Sequence, residues 1–173
     1  DMLLGYSTAL IDESIMISSN SVLQDGEIAV MDQFSTQNRF HGVTVGVLSQ
    51  RRFDCLTFEM LGKLSFGGAR QTAVVAGTIN GEEGGLLARP GNSGEFKQNV
   101  FVVAPEVGLN MIYHPTPCLD ITCGYSLLYW SSAAQATNLI DPLLRVNPND
   151  PPDADVFPQP GFEFRDSEYI LHG

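Results

Sequence analysis

Three segments of the chain place apolar residues at every second position, and this period of two constrains the fold more than any other feature. From Leu56 to Phe66 the even positions are all apolar or glycine, while Thr57, Glu59, Lys63 and Ser65 fill four of the five odd ones. From Phe101 to Tyr113 every odd position is apolar, with Glu106, Gly108 and Asn110 between them. From Leu119 to Tyr129 the pattern returns, with Asp120, Thr122, Gly124 and Ser126 on the opposite parity, and Val43-Thr-Val45-Gly-Val47 is a shorter example. Successive side chains of a strand point to opposite faces, so each segment reads as a strand with one apolar and one polar face. A helical stripe at i, i+3, i+4 and i+7 would draw Glu59, Lys63 or Asp120 into the apolar face. The chain is therefore expected to be all-β.

Composition narrows the class. With 43% hydrophobic and 17% charged residues, the 173 residues do not describe a disordered chain. Nine Lys and Arg against twenty Asp and Glu give a net charge of -11, which lacks the basic footprint of a nucleic-acid binder. No run reaches the roughly 18 apolar residues of a membrane helix, but alternating barrel strands escape that test. The start at Asp1, with neither Met nor a signal segment before it, leads us to expect an excised piece: one domain over 1–173, part of a barrel and incomplete at one or both ends. Cys55, Cys118 and Cys123 are odd in number and read as small packing residues.

The expected architecture is an antiparallel meander of six strands near 2–12, 39–48, 53–66, 99–113, 118–130 and 165–173, in an open curved sheet. Ser18 to Gln33 reads as a loop with a short hairpin near Asp25-Gly26. Turns at 49–52 and 114–117 alternate with long connections at 67–98 and 131–164. Short turns at one end and long loops at the other suit a partial transmembrane β-barrel. On that reading Phe58, Met60, Leu64, Val103, Val107, Leu109, Ile121, Cys123 and Leu127 face lipid, and Glu59, Lys63, Glu106, Asn110, Asp120 and Thr122 face the lumen. Glu59 and Lys63 are expected to form a charge pair there. Three acids against one base on these strands imply a weak preference for cations. Phe53, Phe66, Phe101, Tyr113, Tyr129 and Trp130 lie near strand ends, where interfacial aromatics belong. Alternation alone equally allows the reverse, a soluble lipocalin-like or sandwich binding module with its apolar face inward. A surface protein that displays its long loops for adhesion is a third reading.

Motifs of catalysis are missing: no G-x-S-x-G, P-loop, H-E-x-x-H or G-x-G-x-x-G occurs. His41, His114 and His172 have no metal-ligand spacing, and Asp150, Asp153 and Asp155 read as a solvated acidic loop. No enzyme activity, cofactor or metal is expected.

In Phe40-His-Gly42, Leu61-Gly-Lys-Leu64, Arg70-Gln-Thr72, Gly84-Gly-Leu-Leu-Ala88 before Pro90, Val103-Ala-Pro-Glu-Val107 and Cys123-Gly-Tyr-Ser-Leu-Leu-Tyr-Trp-Ser131, the chain resembles β-barrel porin family seven, outer-membrane barrels described from Planctomycetes. The likeness runs from about Leu3 to Tyr169. It implies an outer-membrane location, an antiparallel barrel and no enzymatic activity: a passive pore or structural envelope component, with membrane lipid around it and small solutes or ions passing. The family continues after Tyr169 into a closing strand, whereas this sequence stops at Gly173, so an unclosed barrel is expected.

Overall fold

The computed structural model describes residues 1–23, 26–141 and 161–173. Among these residues six strands dominate, five of them long: β1 (Met2–Leu23), β2 (Gly26–Phe53), β3 (Leu56–Ile79), β5 (Gly94–Thr116), β6 (Leu119–Ala134) and the shorter β7 (Asp166–His172). The two-residue β4 (Glu82–Glu83) flanks β3, and one 3₁₀ turn spans Ala136–Leu139. All pairs are antiparallel, in the order β1-β2-β3-β5-β6-β7. The result is the open, curled half-barrel expected from the alternation, with β1 and β7 as its two edges. No helix among the described residues is long and apolar enough to cross a membrane.

The six expected strands and their pairing are present, with the short β4 added, but β1, β2, β3 and β5 are far longer than expected, whereas β7 has only 7 residues. β2 has 28 residues and β3 has 24, against about 9–11 for a tilted membrane crossing. Most of 18–33, expected as loop, forms the stems of a β1–β2 hairpin closed by Leu23 opposite Gly26; its tip at 24–25 lies outside the described residues. The expected loop at 67–98 is largely strand, since β3 runs to Ile79 and β5 starts at Gly94. The turns at one end sit at Asp54-Cys55 and at 117–118, a few residues beyond the expected positions. At the other end β3 turns into β4 through Asn80-Gly81, whose φ angles of 54° and 87° are the double positive values of a tight hairpin. The acidic segment holding Asp150, Asp153 and Asp155 lies outside the described residues.

The direction of curl follows from one contact. Phe40 on β2 and Trp130 on β6 are three strand steps apart, about 14 Å in a flat sheet at about 4.8 Å per step. Their ring centroids are 5.2 Å apart in an edge-to-face arrangement. The face that carries both rings is therefore the concave one. Glycine makes room for this packing: a Cβ on Gly42 would sit 2.5 Å from the Phe40 ring, which lies down over that position.

Candidate functional site

Parity and register assign the strand residues to the concave or the convex face, except around the register shifts after Tyr113 and Trp130, and each face divides into two zones of opposite polarity. Near the short turns the concave face is polar. Lys63 Nζ donates to Glu106 Oε1 at 2.9 Å, directly across the β3–β5 ladder. Gln50 Nε2 donates to Glu59 Oε1 at 3.0 Å, and Asn110 lies opposite Glu59. His114 bridges two strands, its Nδ1 2.5 Å from Asp120 Oδ1 and its Nε2 3.1 Å from Thr57 Oγ1. Thr44 lies between Ser7 and Ser65, hydrogen-bonded to both hydroxyls. Thr122 faces Ile112 across the β5–β6 ladder.

All six residues expected on one polar face share it: Glu59, Lys63, Glu106, Asn110, Asp120 and Thr122. The expected Glu59–Lys63 pair does not form. Residues four apart on a strand are separated by about 13 Å, whereas Glu106 stands opposite Lys63 at hydrogen-bonding distance. Gln50, His114 and Arg52 join this face without having been expected there, beside Thr57, which has the same parity as Glu59. Arg52 pairs with Thr57 and so adds a second base, leaving three acids against two bases.

Further along the strands the concave face turns apolar. Phe40, Ala69, Val102, Ala104, Trp130 and Ala133 form one buried cluster, and Phe34, Ala73, Val75, Ala88 and Leu139 form another. Parts of both long connections fold inward to complete them. Beyond the Glu106–Leu128 pair β6 leaves its ladder with β5, and Ala134 is gripped by the buried Asn38, whose amide both donates to its carbonyl and accepts its N–H at 2.8 Å. Asp32, 1% exposed, accepts the Ala88 N–H at 2.9 Å and the Leu87 N–H at 3.3 Å. Asn92 closes the same loop by accepting the Arg89 N–H at 2.7 Å and donating to Leu87 O at 3.0 Å. Phe162 stacks on Phe96 at 3.5 Å. The concavity is thus a polar basin near the short turns, floored by aromatics and filled beyond them.

The convex face is the mirror of this. Opposite the polar basin it presents exposed Leu4, Tyr6, Val43, Val45, Met60, Leu64, Val107, Leu109, Ile121 and Leu127. Beside the filled zone it presents Asp12, Gln37, Thr72 and Lys97 in one paired row and Ser14 and Ser35 in the next. The apolar band is slanted. Measured from the paired row Met2, Val47, Gly62, Val107 and Leu127, its last apolar residue is eight residues along β1, at Leu10, but two along β6, at Tyr129. Val43, Phe66 and Phe101 fall between. That stagger is about 20 Å over four strand steps of about 4.8 Å, an angle of about 45° between strands and the normal to the band.

Five of the six expected border aromatics lie on this convex face near the edges of the band: Phe53 and Tyr113 beside the short turns, Phe66, Phe101 and Tyr129 at the opposite margin. Trp130 does not. It follows the outward Tyr129, so parity turns it inward, where it is 2% exposed and donates its indole N–H to Ser132 O at 2.8 Å. Cys55, Cys118 and Cys123 are free thiols and all three are exposed rather than packed as expected, and no group of three His, Cys, Asp or Glu among the described residues converges as a metal site.

No curated protein and no solved structure matches the chain. The sequence does match, over residues 1–173, the family described as "Putative beta barrel porin-7 (BBP7)". Family and geometry agree on long antiparallel strands curling around a concave face, and the chain belongs to this β-barrel porin family.

Proposed function

We propose that the chain forms part of the wall of an outer-membrane porin, a passive conduit for small solutes or ions with no catalytic role. One observation carries this reading: on β2 and β3 both faces invert their polarity at the same height along the strand. A soluble sheet keeps one apolar face throughout, because water lies on the other side along its whole length. On β5 the outward residues from Phe101 to Tyr113 are apolar, while inward Glu106 and Asn110 stand in the polar basin and Val102 and Ala104 already belong to the buried cluster; an apolar band outside a polar basin suits lipid outside and water inside. The twelve residue steps from Phe101 to Tyr113 at about 3.3 Å, inclined at about 45°, rise about 28 Å, close to the hydrocarbon thickness of about 30 Å. Beyond the band the outward face is mostly polar, with Met16, Val22, Met31 and Val74 as exposed exceptions, and the inward face holds the two buried apolar clusters together with the buried Asp32, Asn38 and Gln71. The short turns then lie on the periplasmic side and the inward-folded connections outside the cell.

The six main strands among the described residues are fewer than the eight of the smallest single-chain bacterial barrels, so the conducting form needs strands besides these. The lipocalin-like alternative would leave Leu4, Leu109 and Ile121, each more than half exposed, in water. Reconstitution tests the proposal. The protein should enter phosphatidylcholine vesicles, migrate differently in detergent gels before and after boiling, and conduct ions in planar bilayers. A monomer stable in detergent-free buffer would overturn the proposal.

A further inference from the structure

Arg39 on β2 and Arg70 on β3 are directly opposite one another on the convex face, and both are exposed. Like charges placed across a ladder repel. The chain has nine Lys and Arg in all, against twenty acids, so carboxylates to separate the two are plentiful. Yet no ion pair or side-chain hydrogen bond involves either arginine among the described residues. The nearest outward acid on the same ladder, Asp12, stands opposite Gln37, one paired row further along. Lys97, in that row, is held by Glu95 at 2.7 Å.

The position of the pair is as informative as its charge. Each arginine lies four residues beyond the end of the continuous outward apolar band on its strand, Val43 on β2 and Phe66 on β3. That is about 13 Å along the strand and about 9 Å along the normal to the band, a height that a downward-reaching guanidinium brings into the headgroup layer. Directly below Arg70 on the same face is Gly68, where an added Cβ would meet nothing within 4 Å. Its paired neighbours are His41 on one side and Phe101, 68% exposed, on the other. Below the notch the strand continues outward as Phe66 and Leu64. A cationic fork stands above a gap walled by an imidazole and a phenyl ring.

We infer that Arg39 and Arg70, with the notch at Gly68, bind the phosphate of a membrane lipid whose acyl chain descends over Phe66 and Leu64. Two guanidinium groups offer paired N–H donors to phosphate oxygens, and the phosphate removes their mutual repulsion. This site rests on the proposal that the convex band faces lipid, and the test keeps the two apart.

The protein, purified in dodecyl maltoside, would be titrated with phosphatidic acid, with phosphatidylcholine and with inorganic phosphate, and bound molecules counted by native mass spectrometry. Phosphatidic acid should be retained in preference to phosphatidylcholine, and inorganic phosphate should not displace it. The double variant Arg39→Gln/Arg70→Gln should weaken retention about tenfold or more. Gly68→Leu, which fills the notch without altering charge, should weaken it too, and Asn99→Gln should not. Equal retention by the parent and the double variant, when both still insert into vesicles, overturns the site and leaves the lipid-facing band standing. Displacement by inorganic phosphate shows a free-anion site and also overturns it. Failure of the parent protein to insert overturns both.

Discussion

Lysine substitutions at graded depth along β5 turn the slanted band into energies. Val107 is the midpoint between Phe101 and Tyr113, the outward residues at the two margins of the band on this strand. Val103 is about 9 Å from that midpoint along the normal and Asn99 about 19 Å, taking about 3.3 Å per residue and an inclination of about 45°. The hydrocarbon extends about 15 Å from its centre. Val107→Lys should therefore cost the full midplane penalty of about 2–4 kcal/mol, Val103→Lys a smaller part of it, and Asn99→Lys about 0–1 kcal/mol. In equilibrium constants the first is a loss of about 30-fold to 900-fold. Trp130 is the one tryptophan of the chain and becomes buried against Phe40 on folding, so its fluorescence reports urea-dependent folding into phosphatidylcholine vesicles without a label. Equal costs at the three positions, or the largest at Asn99, would refute the assignment of the band to lipid.

Other substitutions probe the concave side. Glu106→Lys removes the partner of Lys63 and changes the basin from three acids and two bases to two acids and three bases; reversal potentials in planar bilayers should shift toward anions, with vesicle insertion unchanged. Asp32→Ala strips the acceptor from the Leu87 and Ala88 N–H groups, costs about 1–3 kcal/mol, and should speed limited proteolysis within 84–93. Phe40→Ala removes the ring that meets Trp130 across the concavity; it should cost about 3–5 kcal/mol and raise single-channel conductance, because those two rings floor the basin.

The lower half of each strand was legible because its alternation keeps one phase. On β2 the apolar positions are odd at Val43, Val45 and Val47, then even at Phe40, Phe34, Val30 and Ile28. β3 makes the same exchange, from Phe58, Met60, Leu64 and Phe66 to Ala69, Ala73 and Val75. A pattern that changes parity looks like a strand ending, and the Ser, Asn, Thr and Gln on the new outward face look like loop. Continuous backbone pairing carries the strand through both phases. The six polar residues of the basin were found because each lies in the constant phase. Partners across the ladder were not, because Lys63 and Glu106 are 43 residues apart and meet through register alone. Trp130 was misplaced by its nearness to a strand end, when its parity relative to Ile121 and Leu127 already turned it inward. Asp32 carried a signal that went unused: a lone acid between Val30 and Phe34 on the apolar parity must be buried, and a buried carboxylate needs donors.

Nitroxide labels placed singly along β3, from Phe58 to Val74, test the central claim most directly. In vesicles, collision with dissolved oxygen reports lipid and collision with a nickel chelate reports water. The account predicts oxygen-accessible labels at positions 58, 60, 64 and 66, a crossover near Gly68, and nickel-accessible labels at Arg70, Thr72 and Val74. Labels at Glu59, Lys63 and Ser65 should meet water rather than oxygen. Nickel access at every even position, or oxygen access at the odd ones, would contradict a strand that leaves the membrane where both its faces invert.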